Sequence, residues 1–324
     1  MNRALLGRAF QEAKWLMLGC ALTMLGFCWV RVWVVGRIDM SRFQGILEIL
    51  KPEFENFSAI DFQYAITYPG RVAFTFNEPM VILLIVIWAI ARGSDAVSGP
   101  LGKGSLEMML AQPIGRFQYL MSKVLVSALG VVVIAGSAWL GLHLGVQNTT
   151  VKQEQAPLKF EIPLVKIEFE IPFTRGAGEP ERIPLSDHVD TADFVPPTLN
   201  LMALGFFFAG LATWMSSLDR YRWRTIAIMS GFFVVQLLLR VLSLSWEEQA
   251  WLKFTTILSL YEPEVLVSYR QRLPNAPWAV WTESVTGVYV LGGLGYSGLL
   301  VLGGLLGFAL AFWTFCRRDL PAPV

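Results

Sequence analysis

The chain has 324 residues, of which 54% are hydrophobic and only 16% charged, with a mean hydropathy of +0.51. A soluble domain carries about 25% charge, so this balance excludes an ordinary water-soluble enzyme and points to a membrane protein. Its 26 Lys/Arg and 25 Asp/Glu leave a net charge of +1, which gives no reason to expect a nucleic-acid partner.

A helix needs about 20 apolar residues to cross a bilayer, and six stretches qualify: Trp15–Val35, Val72–Ala91, Phe117–His143, Leu199–Ser217, Thr225–Leu244 and Val285–Phe315. Ahead of the first, Leu5, Leu6, Ala9, Phe10 and Ala13 fall to one side of a helix, and Arg3, Arg8, Gln11, Glu12 and Lys14 fall largely to the other. That is the pattern of a short interfacial helix, or of a simple extension of the span. No small-x-small cleavage site follows the first span, so it reads as a retained helix rather than a signal peptide. Cys20, Cys28 and Cys316 lie in or beside apolar runs and read as packing residues. The sixth span is rich in glycine, which suits close helix packing, and a re-entrant turn before a shorter helix is open near Gly292-Gly293.

Charge sets the expected orientation. If both termini are cytoplasmic, the inner segments (Lys123 included) hold 12 Lys/Arg against 5 Asp/Glu, while the rest of the chain, chiefly the longer outer loops, holds the other 14 Lys/Arg and 20 Asp/Glu. The denser positive charge then lies inside, as the positive-inside rule requires. The chain thus divides into residues 1–143, with spans one to three and a cytoplasmic loop; an extracytoplasmic insertion over 144–200; and 201–324, with spans four to six and a cytoplasmic tail.

Within the insertion, "LKFEIP" (158–163) is echoed by "IEFEIP" (167–172). Both alternate apolar and polar residues, the period of a strand, which predicts a small β-hairpin. Arg175–Asp193 reads as polar and irregular. The fold class expected is therefore an all-α integral membrane protein of six transmembrane helices with a small β-rich extracytoplasmic insertion.

Few residues invite chemistry. His143 and His188 have no metal-ligand spacing, although His188 in "SDHVD" stands between aspartates and is a weak metal or proton candidate. Glu262 and Glu264 read as a solvated face. Glu78 is different, because an acid within a span is a pathway or interface candidate. Alternatively Asn77-Glu78-Pro79 marks a helix start, where proline is favoured.

The loop "GSDAVSGPLGKGSLEMMLAQPIGR" (93–116) contains a fragment resembling a phosphate-binding loop. A nucleotide site needs Gly-x-x-x-x-Gly-Lys-Ser/Thr between a strand and a helix. Here Val97 stands where the first glycine belongs and Gly104 follows Lys103, so no bound ATP or other cofactor is expected in this chain. Ser105 instead suits a helix N-cap, Glu107 the first turn and Pro113 a stop, with Leu106, Met109 and Leu110 as a short apolar face.

Those residues carry a resemblance. Lys103, Gly104, Ser105, Leu106, Glu107, Met108-Met109-Leu110, Pro113, Arg116 and Lys123 look like the first cytoplasmic loop of ABC type-2 transporter permeases. "LKFTTILSLYEPEVLV" (252–267) and "FCRRDLPAP" are similar to that family's segment before the last span and to its tail. The resemblance implies the permease subunit of an ABC exporter in the plasma (inner) membrane, without chemistry of its own. Lys103, Gly104, Ser105, Leu106, Glu107, Met109, Leu110, Pro113 and Arg116 would be the coupling loop. The implied partners are a separate ATPase subunit, which would bind the ATP, a second or homologous permease copy, and membrane lipids. Family members carry a longer acidic-basic run before this glycine, of which "SGPLGK" keeps only Lys103, so the coupling contact is expected to differ in detail. Two rivals remain: a membrane-anchored assembly or structural protein presenting the 144–200 loop, and a membrane enzyme acting on lipid or cell-wall precursors.

Overall fold

The structure is a computed structural model and describes residues 3–37, 64, 67–153, 159–162, 167–170, 181–245, 247–273, 275–283 and 289–318. Six helices or helix pairs are long and apolar enough to span a membrane, with small two-stranded sheets beside them.

The first span, α1 (Arg3–Arg37), is one continuous helix of 35 residues. The expected interfacial helix is therefore the N-terminal extension of the span. At 1.5 Å per residue it is about 52 Å long, well beyond a hydrocarbon core of about 30 Å. The second span is broken. It comprises α2 (Tyr68–Ala73), a 3-10 turn Phe74–Asn77, an extended Glu78 and α3 (Pro79–Ser94). Pro79 lacks an N–H and tolerates only the first turn, so the helix restarts there. The sequence placed an apolar span over Val72–Ala91 and offered Asn77-Glu78-Pro79 as a helix start, and the helix does restart there.

Two short helices follow, α4 (Ser98–Gly102) and α5 (Ser105–Leu110), forming a hook before α6 (Arg116–Asn148). The insertion contains β1 (Thr150–Gln153), β2 (Lys159–Ile162), β3 (Ile167–Glu170) and β4 (Glu181–Pro184). β2 and β3 pair antiparallel, with Phe160 opposite Phe169 and Ile162 opposite Ile167, which is the predicted hairpin. β1 pairs antiparallel with β4. The described part of the expected irregular stretch is thus ordered: after β4, Leu185, Val189 and Phe194 are buried. Alternation over only four residues of β4 was too short a signal to read.

Next come α7 (Val195–Leu218), α8 (Arg222–Ser245), α9 (Pro263–Arg272), the hairpin β5 (Trp281–Glu283) and β6 (Tyr289–Leu291), and α10 (Gly293–Arg317). The sixth span begins at Gly293, not Val285. The strand Tyr289–Leu291 is as apolar as a helix turn, and hydropathy alone does not separate the two.

α7 is the central helix. It packs along α3 and α10, and also touches α6, while α1 lies along α6. At the α7–α10 crossing a Cβ on Gly210 would collide with the Gly304 carbonyl, so the two backbones touch. Gly303, Gly304 and Gly307 of α10 therefore serve packing against α7 inside the chain. The spanning windows of α1, α8 and α10 are 33%, 22% and 33% buried, against 61% for α7. Their outward faces are apolar, as lipid or another helix requires.

The start of α1 and the end of α10 both lie at the hook end of the bundle. Lys123 of α6 pairs with Glu12 of α1 at 2.5 Å, and Arg116 donates to the Arg318 carbonyl at 2.7 Å. Both chain ends on one face is the outcome that an even number of crossings demands.

Candidate functional site: the hook between the second and third spans

The hook is built on small residues and one carboxylate. Ser216 of α7 accepts from the backbone N–H of Val97 at 3.2 Å and of Ser98 at 2.9 Å. Its hydroxyl also lies 3.0 Å from the Ser94 carbonyl, to which Ser98 donates at 2.8 Å. These bonds satisfy N–H groups that open α4 and would otherwise be buried without partners. Tyr119 donates to the Ala96 carbonyl at 3.1 Å.

Asp95, the C-cap of α3, stands where a helix dipole disfavours an anion. Three cations offset this: Arg222 at 3.2 Å, Arg92 at 3.5 Å and Lys123 at 3.8 Å. Lys123 also pairs with Glu12. Asp95 thus joins α3, α6 and α8, and through Lys123 and Glu12 it reaches α1. The sequence did not reveal this hub, because its partners are scattered over three spans. The only signal was one acid amid "RGSDAVSG".

A second hydrophobic cluster closes the hook. Ala96, Val97, Leu101, Leu106, Tyr119, Leu120, Ala311 and Phe315 are buried together, with Met109 half-buried against them. Leu106 is fully covered. Of the expected apolar face, Leu106 and Met109 hold the hook to its own spans. Among the described apolar side chains of α5, Met108 is the exposed one, at 70%.

The other expected residues fall as follows. Lys103 is exposed and caps α4. Gly104 follows it at φ +69°, the left-handed position just past the C-cap where glycine carries no steric cost. Ser105 begins α5, and its hydroxyl donates to the Pro100 carbonyl at 3.3 Å. Glu107 and Leu110 lie on α5, and their side chains are outside the described residues. Pro113 is exposed in the turn after α5. Arg116 is occupied: it donates to the carbonyls of Arg318 and, at 3.4 Å, Phe315, at the C-terminus of α10. Cations are favoured there.

At the opposite end, Glu78 is the N-cap residue of α3 and pairs with Arg31 of α1 at 2.8 Å. It is a helix start and an interhelical pair at once. Nearby, Tyr261 donates to the Phe76 carbonyl at 2.7 Å, fixing the break in the second span from the segment ahead of α9. Asn77 bonds Glu264, and Arg240 pairs with Glu262 at 3.5 Å. Both acids are buried, which corrects the reading of a solvated face. Burial pushes the Glu262 carboxyl above its ordinary value, with Arg240 and Lys253 partly offsetting it. His143 sits against Trp139 and Thr191, and His188 stacks on Tyr68. Among the described residues no group of histidine, cysteine or acidic side chains has a metal-binding arrangement.

The sequence pattern of the ABC-2 family transporter proteins matches residues 14–320, nearly the whole chain. The chain belongs to the ABC-2 family. It is a multi-pass membrane permease component of an ABC transporter. No curated protein matches it. In this ABC-2 chain the match runs through every span and through the hook, so hook and bundle are parts of one transport unit.

Proposed function

We propose that this ABC-2 chain is the permease subunit of an exporter and that the hook over residues 98–116 receives the stroke of a separate ATPase subunit on the cytoplasmic side. The observation that carries this reading is the hook's two-sidedness. Its inner side is fastened to the feet of the spans through Asp95, Ser216, Leu106 and Arg116. Its outer side presents Lys103, Met108, Ala111, Gln112 and Pro113 to solvent. A force applied to such a ridge passes to α1, α3, α6, α8 and α10 rather than deforming a loop. The density of Lys/Arg at this end supports the cytoplasmic assignment. The permease would work as a dimer or beside a homologous copy, using the sparsely buried faces of α1, α8 and α10.

The test is co-purification of the ATPase subunit with wild-type, Met108→Asp and Glu107→Lys permease at matched expression. Met108→Asp puts a charge in the centre of the exposed ridge. Glu107→Lys puts the wrong sign in the first turn of α5, a local effect of about 0.3–1 kcal/mol, larger where the acid meets a partner's cation. Both variants insert normally and lose the ATPase or its transport-coupled hydrolysis. Full retention of both in both variants would return the hook to an ordinary interfacial turn.

A further inference from the structure

Between the hook and the bundle lies a half-open cavity of about 540 Å³, walled by α1, α3, α4, α5, α6 and α8. Five cations face it, Arg8, Arg92, Lys103, Lys123 and Arg222, against two carboxylates, Glu12 and Asp95. The acids are already engaged with Lys123, Arg8, Arg92 and Arg222, so the walls retain three positive charges in excess.

Two of these cations are deeply buried, Arg92 and Lys123 at 6% exposure each. Among the described residues the Arg92 Nε–H has no hydrogen-bond partner, and the guanidinium's one ion pair is the 3.5 Å contact to Asp95. A buried guanidinium with an orphaned donor is costly, because the desolvation of that group is not returned. Lys103 makes no ion pair among the described residues and faces the same space from the hook. A guanidinium with an unsatisfied donor, flanked by point-charge ammoniums, is matched to the oxygens of a phosphate.

The level of the cavity identifies which phosphate. Trp15, Trp223 and Trp313 are exposed at 75%, 65% and 56% around this end of the bundle. Lys14, Arg224 and Arg317 lie over their rings at 5.3, 5.4 and 5.2 Å. Exposed tryptophans with basic neighbours mark the headgroup level of a bilayer. Leu16 is on the cavity wall and exposed. A phosphate seated on Arg92 and Lys103 would therefore have the apolar Leu16 side chain beside it at the mouth.

We infer that this cavity is a binding site for the phosphodiester headgroup of an acidic phospholipid, with Arg92, Lys123 and Lys103 as its phosphate ligands and Leu16 at the mouth where the chains leave. Basic pockets between transmembrane helices take lipid headgroups by this chemistry. The inference goes beyond the coupling role of the hook and does not depend on the ATPase. It places a lipid under the hook, touching both the loop and the feet of α1, α3, α6 and α8.

The experiment uses the full chain purified in a neutral detergent. Phosphatidylglycerol, phosphatidylcholine and inorganic phosphate are titrated separately, with binding read by native mass spectrometry and by thermal unfolding. Phosphatidylglycerol binds with a defined stoichiometry and raises the unfolding temperature more than phosphatidylcholine does. Inorganic phosphate neither reproduces the shift nor displaces the lipid. The exposed pair Arg8→Gln/Lys103→Gln weakens phosphatidylglycerol about tenfold, equivalent to about 1.4 kcal/mol, and leaves phosphatidylcholine unaffected. Arg92→Gln removes the bound lipid if it folds, and the exposed pair decides the matter if it does not. Equal phosphatidylglycerol affinity in wild type and the exposed pair overturns the site in favour of annular lipid. Displacement of the lipid by inorganic phosphate overturns it in favour of a soluble anion.

Discussion

Arg222, the first residue of α8, pairs with Asp95, the C-cap of α3, at 3.2 Å. The same carboxylate holds Arg92 and Lys123, both nearly inaccessible to water. Removing its charge leaves two buried cations short of compensation. Asp95→Asn is therefore expected to cost about 3 kcal/mol, the lower end for breaking a buried pair. Thermal or denaturant unfolding of the purified protein measures it. A Lys123→Met/Asp95→Asn double variant should recover part of the loss, since it removes an uncompensated charge. An Asp95→Asn protein as stable as wild type would show that the hub is decorative.

Glu262 gives a pH dependence of known sign. Burial raises its carboxyl above 4.5, so across the window just above 4.5 the folded state holds more protons than the unfolded chain. Stability then falls as pH rises through that window and levels off above the folded value. Glu262→Gln abolishes this slope, because the amide does not titrate. Unfolding temperature followed from acid to neutral pH in both proteins checks it, and parallel profiles would refute the assignment. The Arg240 contacts to the carbonyls of Leu258 and Tyr261 should keep that side chain in place in the variant.

The proposed topology has a direct test. Cys20, Cys28 and Cys316 are free thiols, and Cys316 is exposed at the hook end, so a background without them is needed. Cysteines replacing Lys103 and Arg175 should then be modified from opposite sides of the membrane, Arg175 by an impermeant reagent from outside. Labelling of Lys103→Cys from outside would invert the orientation and move the hook away from any cytoplasmic ATPase.

Assembly is tested on α8, whose spanning window is the least buried of the six. Val235 and Leu238 are half exposed on it, and Gly19 and Gly26 of α1 have open space beside them. A dimeric core should crosslink through cysteines at Val235 or Leu238, or on α1 near Gly26. A native mass corresponding to one permease copy with ATPase bound would count against it.

The spans were legible because a run of about 20 apolar residues is a sufficient signal in itself. The hairpin of residues 159–170 was legible because its two strands repeat one alternating motif. What failed was whatever depends on direction or on distant partners. Leu106 and Met109 were rightly seen as one apolar face of α5, but periodicity does not say whether a face turns to a partner or to the chain's own helices. Asp95, Ser98 and Ser216 are inconspicuous until α3, α7 and α8 are brought together. Val285 was taken as the start of the last span because the apolar strand β6 (Tyr289–Leu291) precedes Gly293.

Gly104 offers the sharpest separation of fold from coupling. Its φ of +69° lies in the left-handed region, and nothing within 4 Å would obstruct an added methyl group. Gly104→Ala therefore meets backbone strain alone, about 1–2 kcal/mol, confined to the joint between α4 and α5. Gly104→Pro cannot adopt the native angle, since the ring fixes φ near −65°, and it also loses the N–H that bonds the Leu101 carbonyl at 3.1 Å. The two variants should rank in that order. Both should insert in the membrane at wild-type levels, because no span is altered. Gly104→Ala should retain part of the ATPase association, and Gly104→Pro should lose it or lose transport-coupled hydrolysis, with Lys103 and Met108 displaced from the ridge. The measurement is ATPase recovered per permease, together with the hydrolysis rate of the reconstituted complex. Wild-type values for Gly104→Pro would show that the joint between α4 and α5 has no part in passing the stroke to the spans.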